Sequence, residues 1–598
     1  MSNSTLKRLT TLRGQMAKQN INYYLMTNSD YHGSEYIGEH FQAIRHLTGF
    51  SGSNATAVIT QTQAYLWTDG RYFLQAEKQL EGSSVTLMRI GEDDVPTVKE
   101  FIKKTIKKGE TLAYDGRTIN AADGEDYRSI LKQAGAILDP KQDLLDQFWA
   151  DRPPAAANPF FILDETYSGK SVKEKIAEIR KEMKSAGVDT HILSSLTDIA
   201  WTLNIRGDDI AHVPVVMSYL IISLETCIWF LQEDVITQEQ RAYLKENQIE
   251  TRPYEAVEAY TDSLSGVSVL YDPETLNDRI VSGLSASVQR LTQPNPSELL
   301  KAVKNPVEIR NTVWAHIKDG VAFTKFMYWL KIKIGLEPVT ELSAGEYLED
   351  RRREQPSYLG PSFATICAYR GNAAMMHYQA APDENAVLEP EGFLLVDSGG
   401  HYLEGTTDVT RTIALGKITH QMRQHFTAVL RANLALADAK FLEGCTGQNL
   451  DILAREPLWE LGLDYKCGTG HGVGHILNVH EGPNAFRWKK RQGKDEDFAL
   501  KAGMITTDEP GVYLAGEYGI RIENELLCKK AQKNEYGQFL CFETITYAPV
   551  DLDAVDAESL TEKEKMLLNQ YHETVYKTLS PYLTAEETHW LKEYTRKI

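Results

Sequence analysis

Glycines alternate through Gly468-Thr469-Gly470-His471-Gly472-Val473-Gly474-His475. Each glycine costs roughly 1 kcal/mol in a helix interior, so His471 and His475 do not read as a helical zinc pair. Alternating glycines suit a loop or strand where another backbone comes close. In an extended segment residues i and i+4 share a face but stand roughly 13 Å apart. The two histidines are therefore not expected on one metal, and His475 taken alone reads as a hydrogen-bonded structural residue. A third histidine, His480, follows in Asn478-Val479-His480-Glu481-Gly482-Pro483.

Four carboxylates bracket this segment. Asp397 ends the apolar run Phe393-Leu394-Leu395-Val396, and Asp408 stands in Gly405-Thr406-Thr407-Asp408-Val409-Thr410-Arg411. Two strand-end acids joined by a short turn predict a hairpin that brings the carboxylates together. Glu509 follows another apolar stretch in Thr507-Asp508-Glu509-Pro510-Gly511. In Gly519-Ile520-Arg521-Ile522-Glu523-Asn524, strand alternation turns Ile520 and Ile522 one way and Arg521 and Glu523 the other. Singly, each acid has a plainer reading: a turn residue for Asp397, a turn cap for Asp408, a solvated turn for Asp508-Glu509, and a surface partner of Arg521 for Glu523. Together they point to metal. Converging carboxylates force proton uptake unless something neutralises them, and two divalent cations balance four of them. Oxygen donors with one imidazole suit Mn²⁺, Co²⁺ or Zn²⁺ better than a thiolate-seeking metal. In two-metal sites a bridging water becomes a nucleophile near neutral pH.

The rest of the chain bounds what such a site can serve. With 598 residues it exceeds a single core, and three or four domains are expected. A net charge of −19, from 64 basic and 83 acidic residues, argues against nucleic acid or an anionic membrane as main partner. Six cysteines without a C-x2-C pair predict reduced thiols and a cytoplasmic setting. The first residues lack the apolar core of a signal peptide. The apolar run Val213 to Ile222 is too short to span a bilayer and reads as a buried strand.

In chain order, Leu6, Leu9, Leu12 and Met16 predict an opening amphipathic helix, followed by a strand over Ile21 to Thr27. Strand-like Ala57-Ile59 and Ala64-Trp67, then a helix after Arg71, make an α/β domain. The Arg152-Pro153-Pro154-Ala155 stretch is a linker. The pattern restarts: Ser171 with Glu174 forms a capping box, a stripe runs from Val172 through Ile176, Ile179 and Met183, Gly187 stops the helix, and Val188 to Leu193 is a strand. Two related domains are expected. Asn305-Pro306-Val307-Glu308 is a third, strong helix start, and Ser343 with Glu346 suggests another capping box. Strands are expected at Phe393-Val396, Thr410-Leu415, Met504-Thr507 and Glu543-Thr546, with helices over 420–440 and 447–461 and a helical tail over 557–598. The expected divisions are 1–152, 153–303, 304–550 and 551–598.

The series Asp397, Asp408, His471, Glu509, Glu523, with His377 in Asn372-Ala373-Ala374-Met375-Met376-His377-Tyr378, resembles the pita-bread metallopeptidases. Within them it is similar to the three-domain, cytosolic type of Xaa-Pro aminopeptidase (aminopeptidase P). Trp67-Thr68-Asp69-Gly70-Arg71-Tyr72 resembles that family's first domain, and Ala200-Trp201-Thr202-Leu203-Asn204-Ile205-Arg206-Gly207 its second. The resemblance implies two creatinase-like α/β domains, a pita-bread catalytic domain and a helical C-terminal extension, assembled as a homodimer. It implies two metals, usually Mn²⁺, with Asp397 on one, Asp408 and Glu523 bridging, and His471 and Glu509 on the other. Glu509 would handle the proton of the bridging water, and His377 and His480 would hold the substrate and stabilise its tetrahedral intermediate. The reaction implied is release of the first residue from peptides with proline second. An X-Pro bond lacks an N–H and its ring restricts the backbone, so a dedicated pocket is needed, and its secondary-amine leaving group requires a proton.

One position departs from that pattern: Cys467 stands where the family usually has histidine. This predicts altered substrate affinity and, if the thiol is exposed, oxidant sensitivity. Two alternatives accompany the aminopeptidase reading. One is a prolidase acting on X-Pro dipeptides, disfavoured by length. The other is a non-catalytic binding protein on the same fold, disfavoured because all five candidate ligands are present.

Overall fold

The computed structural model describes residues 2–489 and 498–598. The chain divides into two compact units, one of residues 1–164 and 170–298, the other of residues 165–169 and 299–598.

The first unit contains two six-stranded sheets built alike. One runs Thr86–Arg89, Ala64–Thr68, Thr56–Thr60, Tyr23–Thr27, Thr111–Ala113, Ile137–Asp139. The other runs Glu250–Pro253, Cys227–Leu231, Tyr219–Ser223, Thr190–Leu193, Ser268–Tyr271, Gln289–Thr292. Taking the strands of each sheet in chain order, both are arranged 4-3-2-1-5-6. Both also pair parallel, antiparallel, antiparallel, parallel, parallel across the sheet. The helix-then-strand opening seen twice in the sequence is thus the start of a repeated fold. In the first helix, Ser2–Lys18, Leu9, Leu12 and Met16 are fully buried, whereas Leu6 is exposed. The second opening helix, Val172–Ala186, has the expected capping box, and Gly187 closes it in the left-handed conformation. The expected strand over Val213 to Ile222 is shorter: Tyr219–Ser223 joins the sheet, and Val213 makes only an isolated bridge to Ile210. Val213 and Val215 to Met217 are buried without strand geometry, because Pro214 cannot donate to a ladder.

The second unit is built on strands that end at the site. A three-stranded antiparallel sheet joins Ile366–Tyr369, Phe393–Ser398 and Val409–Ala414, with Asp397 opposite both Ile366 and Thr410. Alternation sends Leu394 and Val396 into a core with Phe323, Phe326, Met327 and Leu330 of the long helix Pro306–Lys333. The opposite face carries Phe393, Leu395 and then Asp397. A six-stranded sheet runs Lys440–Leu442, Gly537–Thr544, Asn524–Asn534, Ile505–Asp508, Gly470–Gly472, Glu481–Phe486. Asn305 caps the long helix by accepting from the N–H groups of Val307 and Glu308. The helix read from Ser343 begins earlier, as Glu341–Arg353, with Thr340 as its cap and Ser343 in the reciprocal position. Threonine and serine bond each other there, so the glutamate that sequence reasoning required is not used. The tail forms helices Glu562–Leu579 and Ala585–Tyr594.

Candidate metal centre

The glycine-rich segment is a short strand, Gly470–Gly472, clamped between two neighbours. A Cβ on Gly470 would lie 1.8 Å from the Thr507 carbonyl, and one on Gly472 2.3 Å from that of Glu481. Close backbone approach therefore explains the alternation. His471 projects between these glycines. Its backbone N–H donates to Thr507 Oγ1 at 3.0 Å. Its Nδ1 lies 3.0 Å from the Gly472 carbonyl, a contact that only a protonated Nδ1 can make as a hydrogen bond. In the neutral ring the Nε2 lone pair then faces Glu509 Oε1 at 3.4 Å and Asp408 Oδ2 at 3.6 Å.

His475 goes elsewhere. Its ring is buried between Thr312 Oγ1 and the Tyr167 carbonyl, at 3.1 Å each.

Asp397 and Asp408 are brought together, though not by a short turn. Two short strands, Gly400–Tyr402 and Gly405–Thr406, lie between them and pair with each other. Arg521, 3% exposed, donates to Asp397 Oδ2 at 2.5 Å and to the Tyr513 hydroxyl at 2.7 Å. Among the described residues, none donates a hydrogen bond to Asp408 Oδ1 or to Asp397 Oδ1, although both atoms are buried. The Asp408 backbone N–H donates to Glu525. Glu523 sits where alternation put it, with Ile520 and Ile522 in the core behind. Its Oε2 accepts from Thr410 Oγ1 at 2.7 Å, and its N–H donates to the Thr410 carbonyl. Thr507 Oγ1 donates to Glu509 Oε1 at 3.3 Å.

Ligand atoms of Asp408, His471 and Glu523 all lie within 4.8 Å of one another, and Glu509 joins them through His471. His480 sets its ring edge-on against His471, with centroids 4.3 Å apart. His377 is half-buried on the turn after Arg370–Ala374, next to Met376, whose carbonyl is 3.5 Å from Arg521.

The electrostatics of this cluster call for cations. Burial, then the charges of Glu523, Asp397 and Glu509, pushes the Asp408 carboxyl well above the usual range. Burial, then Glu509 and Asp397, does the same to Glu523. Burial pushes Glu509 up to about 7, against the opposing charge of Arg521. An imidazole Nε2 aimed at carboxylates, and two buried carboxylate oxygens without donors among the described residues, are ligands facing one another. The residues present fit two divalent ions, with hard oxygen donors and one nitrogen.

Sequence reasoning missed Thr410, Thr507, Tyr513 and Glu525, and considered Arg521 only in the plainer alternative, as a surface partner of Glu523. Arg521 instead faces Asp397 in the interior. The alternation that placed Glu523 inward placed Arg521 there too, and Thr410 lies two residues from Asp408 on the same face. Cys467 is half-buried and packs with Tyr513 against the core behind the site.

A unit whose strand ends gather four carboxylates and a histidine has the make-up of a metal-dependent hydrolase, and the family comparisons agree. Residues 314–530 match the model of metallopeptidase family M24, and residues 538–598 the C-terminal region of peptidase M24. Residues 8–147 and 151–308 match two creatinase/prolidase N-terminal domain models. A probable Xaa-Pro aminopeptidase P from Coprinopsis cinerea is 37% identical over 99% of this chain and 98% of its own length. Aminopeptidase P1 of Arabidopsis thaliana is 34% identical over 99% of each. The crystal structure of an X-prolyl aminopeptidase from Caenorhabditis elegans, described as a cytosolic enzyme with a di-nuclear active site, superposes with a TM-score of 0.94. It is 33% identical and covers 99% of this chain and 100% of that one. The chain belongs to the Xaa-Pro aminopeptidase P family of M24 metallopeptidases.

Proposed function

We propose that this chain is a two-metal exopeptidase that hydrolyses the first peptide bond of peptides with proline second, releasing the N-terminal residue. The observation that carries the reading is the His471 Nε2 lone pair facing Glu509 and Asp408, beside donor-less buried oxygens of Asp397 and Asp408. Asp397, Asp408, His471, Glu509 and Glu523 hold the ions. Mn²⁺ suits this oxygen-rich donor set, with Co²⁺ and Zn²⁺ as alternatives. Two divalent ions, when bound, polarise the scissile carbonyl and supply a water acidic enough to attack near neutral pH.

The protein's own groups do the rest. Glu509, oriented by Thr507, takes the proton of the attacking water and returns it to the proline nitrogen as that amine leaves. Arg521 and Thr410 fix the Asp397 and Glu523 carboxylates, so the site is preorganised. His480, against His471, and His377, next to Met376, hydrogen-bond the substrate backbone and the developing oxyanion. The six cysteines are all free, which supports a reducing, cytoplasmic setting. Trp459 and Trp488, each 41% exposed and packed edge-on, form an apolar patch that supports assembly as a homodimer.

The test pairs an Xaa-Pro-Yaa tripeptide with the matching Xaa-Pro dipeptide, in Mn²⁺ and after chelation. Tripeptide cleavage at the X-Pro bond, lost on chelation, is expected. Preference for the dipeptide would favour a prolidase. No cleavage of either by the metal-loaded protein would refute the catalytic reading.

A further inference from the structure

The helix Glu562–Leu579 of the C-terminal extension packs Leu568 in the core behind the site and brings the Tyr571 hydroxyl to Arg411. Arg411 is 1% exposed, and among the described residues its hydrogen-bond acceptors are uncharged. Its Nη1 donates to the carbonyls of Glu523 at 2.6 Å and Thr410 at 2.8 Å. Its Nη2 donates to Asn524 Oδ1 at 2.8 Å, the Ala548 carbonyl at 2.8 Å and the Tyr571 hydroxyl at 2.6 Å. Its Nε donates to the Pro549 carbonyl at 3.2 Å. Tyr571 itself donates to the Ala548 carbonyl at 2.7 Å and lies 3.2 Å from Asn524 Oδ1.

The network continues beyond Asn524. Asn524 Nδ2 donates to Asn433 Oδ1 at 3.0 Å, and Asn433 Nδ2 donates to the Asp508 carbonyl at 2.9 Å. Asp508 and Asn524 are also cross-strand partners. The backbones that carry Glu509 and Glu523 are therefore tied to each other and to one guanidinium. Tyr571 brings a side chain of the C-terminal helix to this guanidinium, beside the Ala548 and Pro549 carbonyls. Carboxylates that share metals must be held to within about half an ångström of the productive geometry, and outer groups that orient ligands are worth about 10–100-fold in metal affinity.

We propose that Tyr571 is a positioning residue for the metal centre, acting through Arg411 on the backbone of Glu523 and, through Asn524 and Asn433, on that of Glu509. This rests on the reading of Glu509 and Glu523 as metal-holding groups. Tyr571→Phe keeps the ring packed and leaves both Nη2 protons with acceptors, so it tests the hydroxyl alone. Tyr576→Phe, on the same helix, is the control.

The readout is binding of Mn²⁺ to the full-length, chelator-stripped protein, followed by the electron paramagnetic resonance of free Mn²⁺. Thermal melts of the stripped proteins run alongside. The expected result is a loss of about tenfold in the affinity of the weaker Mn²⁺ site for Y571F, with the metal-free melt close to wild type and Y576F unchanged. At saturating Mn²⁺, KM for the tripeptide stays at the wild-type value. Wild-type Mn²⁺ affinity in Y571F overturns the proposal, as does an equal loss in Y576F or a loss that tracks a fall in the metal-free melt. Absence of two Mn²⁺ sites in the wild-type protein itself would overturn the underlying site reading, and is recognised before any variant is compared.

Discussion

Glu341 offers a direct test of how the His377 segment is held. The residue is 0% exposed, at the start of the helix Glu341–Arg353. Its Oε1 accepts from the Tyr369 N–H at 2.6 Å and Asn372 Nδ2 at 3.0 Å, and its Oε2 from the Tyr378 hydroxyl at 2.8 Å and the Ala386 N–H at 2.7 Å. The stretch 369–386, with His377 in its middle, folds around this one carboxylate. In Glu341→Gln an NH₂ replaces one oxygen. Whichever way the amide turns, it meets a backbone N–H, of Ala386 or of Tyr369, donor to donor. One charge-assisted hydrogen bond is lost, worth about 1.5–3 kcal/mol, and a buried N–H is orphaned at a further cost of about 1–3 kcal/mol. The sum is about 2.5–6 kcal/mol. If it is spent on local opening of the loop, amide exchange in 369–386 accelerates by at least about 60-fold, since each 1.4 kcal/mol is tenfold. Hydrogen-exchange mass spectrometry reads this peptide by peptide. The kcat/KM for the tripeptide falls in step, because His377 rides on the loop. Wild-type exchange across 369–386 in the variant would refute the reasoning, whatever the melting temperature.

Other outcomes follow from the same geometry. Burial first, then the charges of Arg411 and Arg596, depresses the His572 pKa to about 3, and its Nε2 accepts from the Val550 N–H at 3.1 Å. The unfolded state binds this proton first, near pH 6.5, so stability is full above that pH. It falls by about 1.4 kcal/mol per pH unit from there toward pH 3, and His572→Gln should flatten the dependence of the melt on pH. Mn²⁺ at 100 times its dissociation constant should stabilise the second unit by about 2.7 kcal/mol; calorimetry showing the same shift for Asp408→Asn would contradict a ligand role for Asp408. Cys467→His should change the KM for the tripeptide and remove inactivation by peroxide, and unchanged kinetics together with unchanged peroxide response would dispose of any special role for the thiol.

Much of the candidate site was legible because its signals are local. Glycine alternation, acids at the ends of apolar strands and the two-residue period around Glu523 each depend on a few neighbouring residues and on strand geometry. The caps at Ser171 and Asn305 are equally local, and the structure forms both as read. The misreadings arose where locality fails. Leu6 continues a helical stripe but lies beyond the core it should meet. Val213 to Met217 is apolar because it is buried, not because it pairs. Thr340 and Ser343 could outcompete the Ser343–Glu346 cap only once the helix start was fixed by Glu341, whose partners lie up to 45 residues away.

The sequence by itself determined the candidate donor set, its order along the chain, the repeat of helix and strand in the first unit and the strand faces on which the acids lie. Side-chain chemistry and backbone period suffice for these. Tertiary structure alone decided that Arg521 faces Asp397, that the aspartates are joined through an inserted hairpin, that His475 serves Thr312 and Tyr167, and that Tyr571 reaches Arg411 across 160 positions of sequence. Those pairings are set by which elements pack together, and a hydrogen bond between residues far apart in the chain leaves no periodic trace in the sequence.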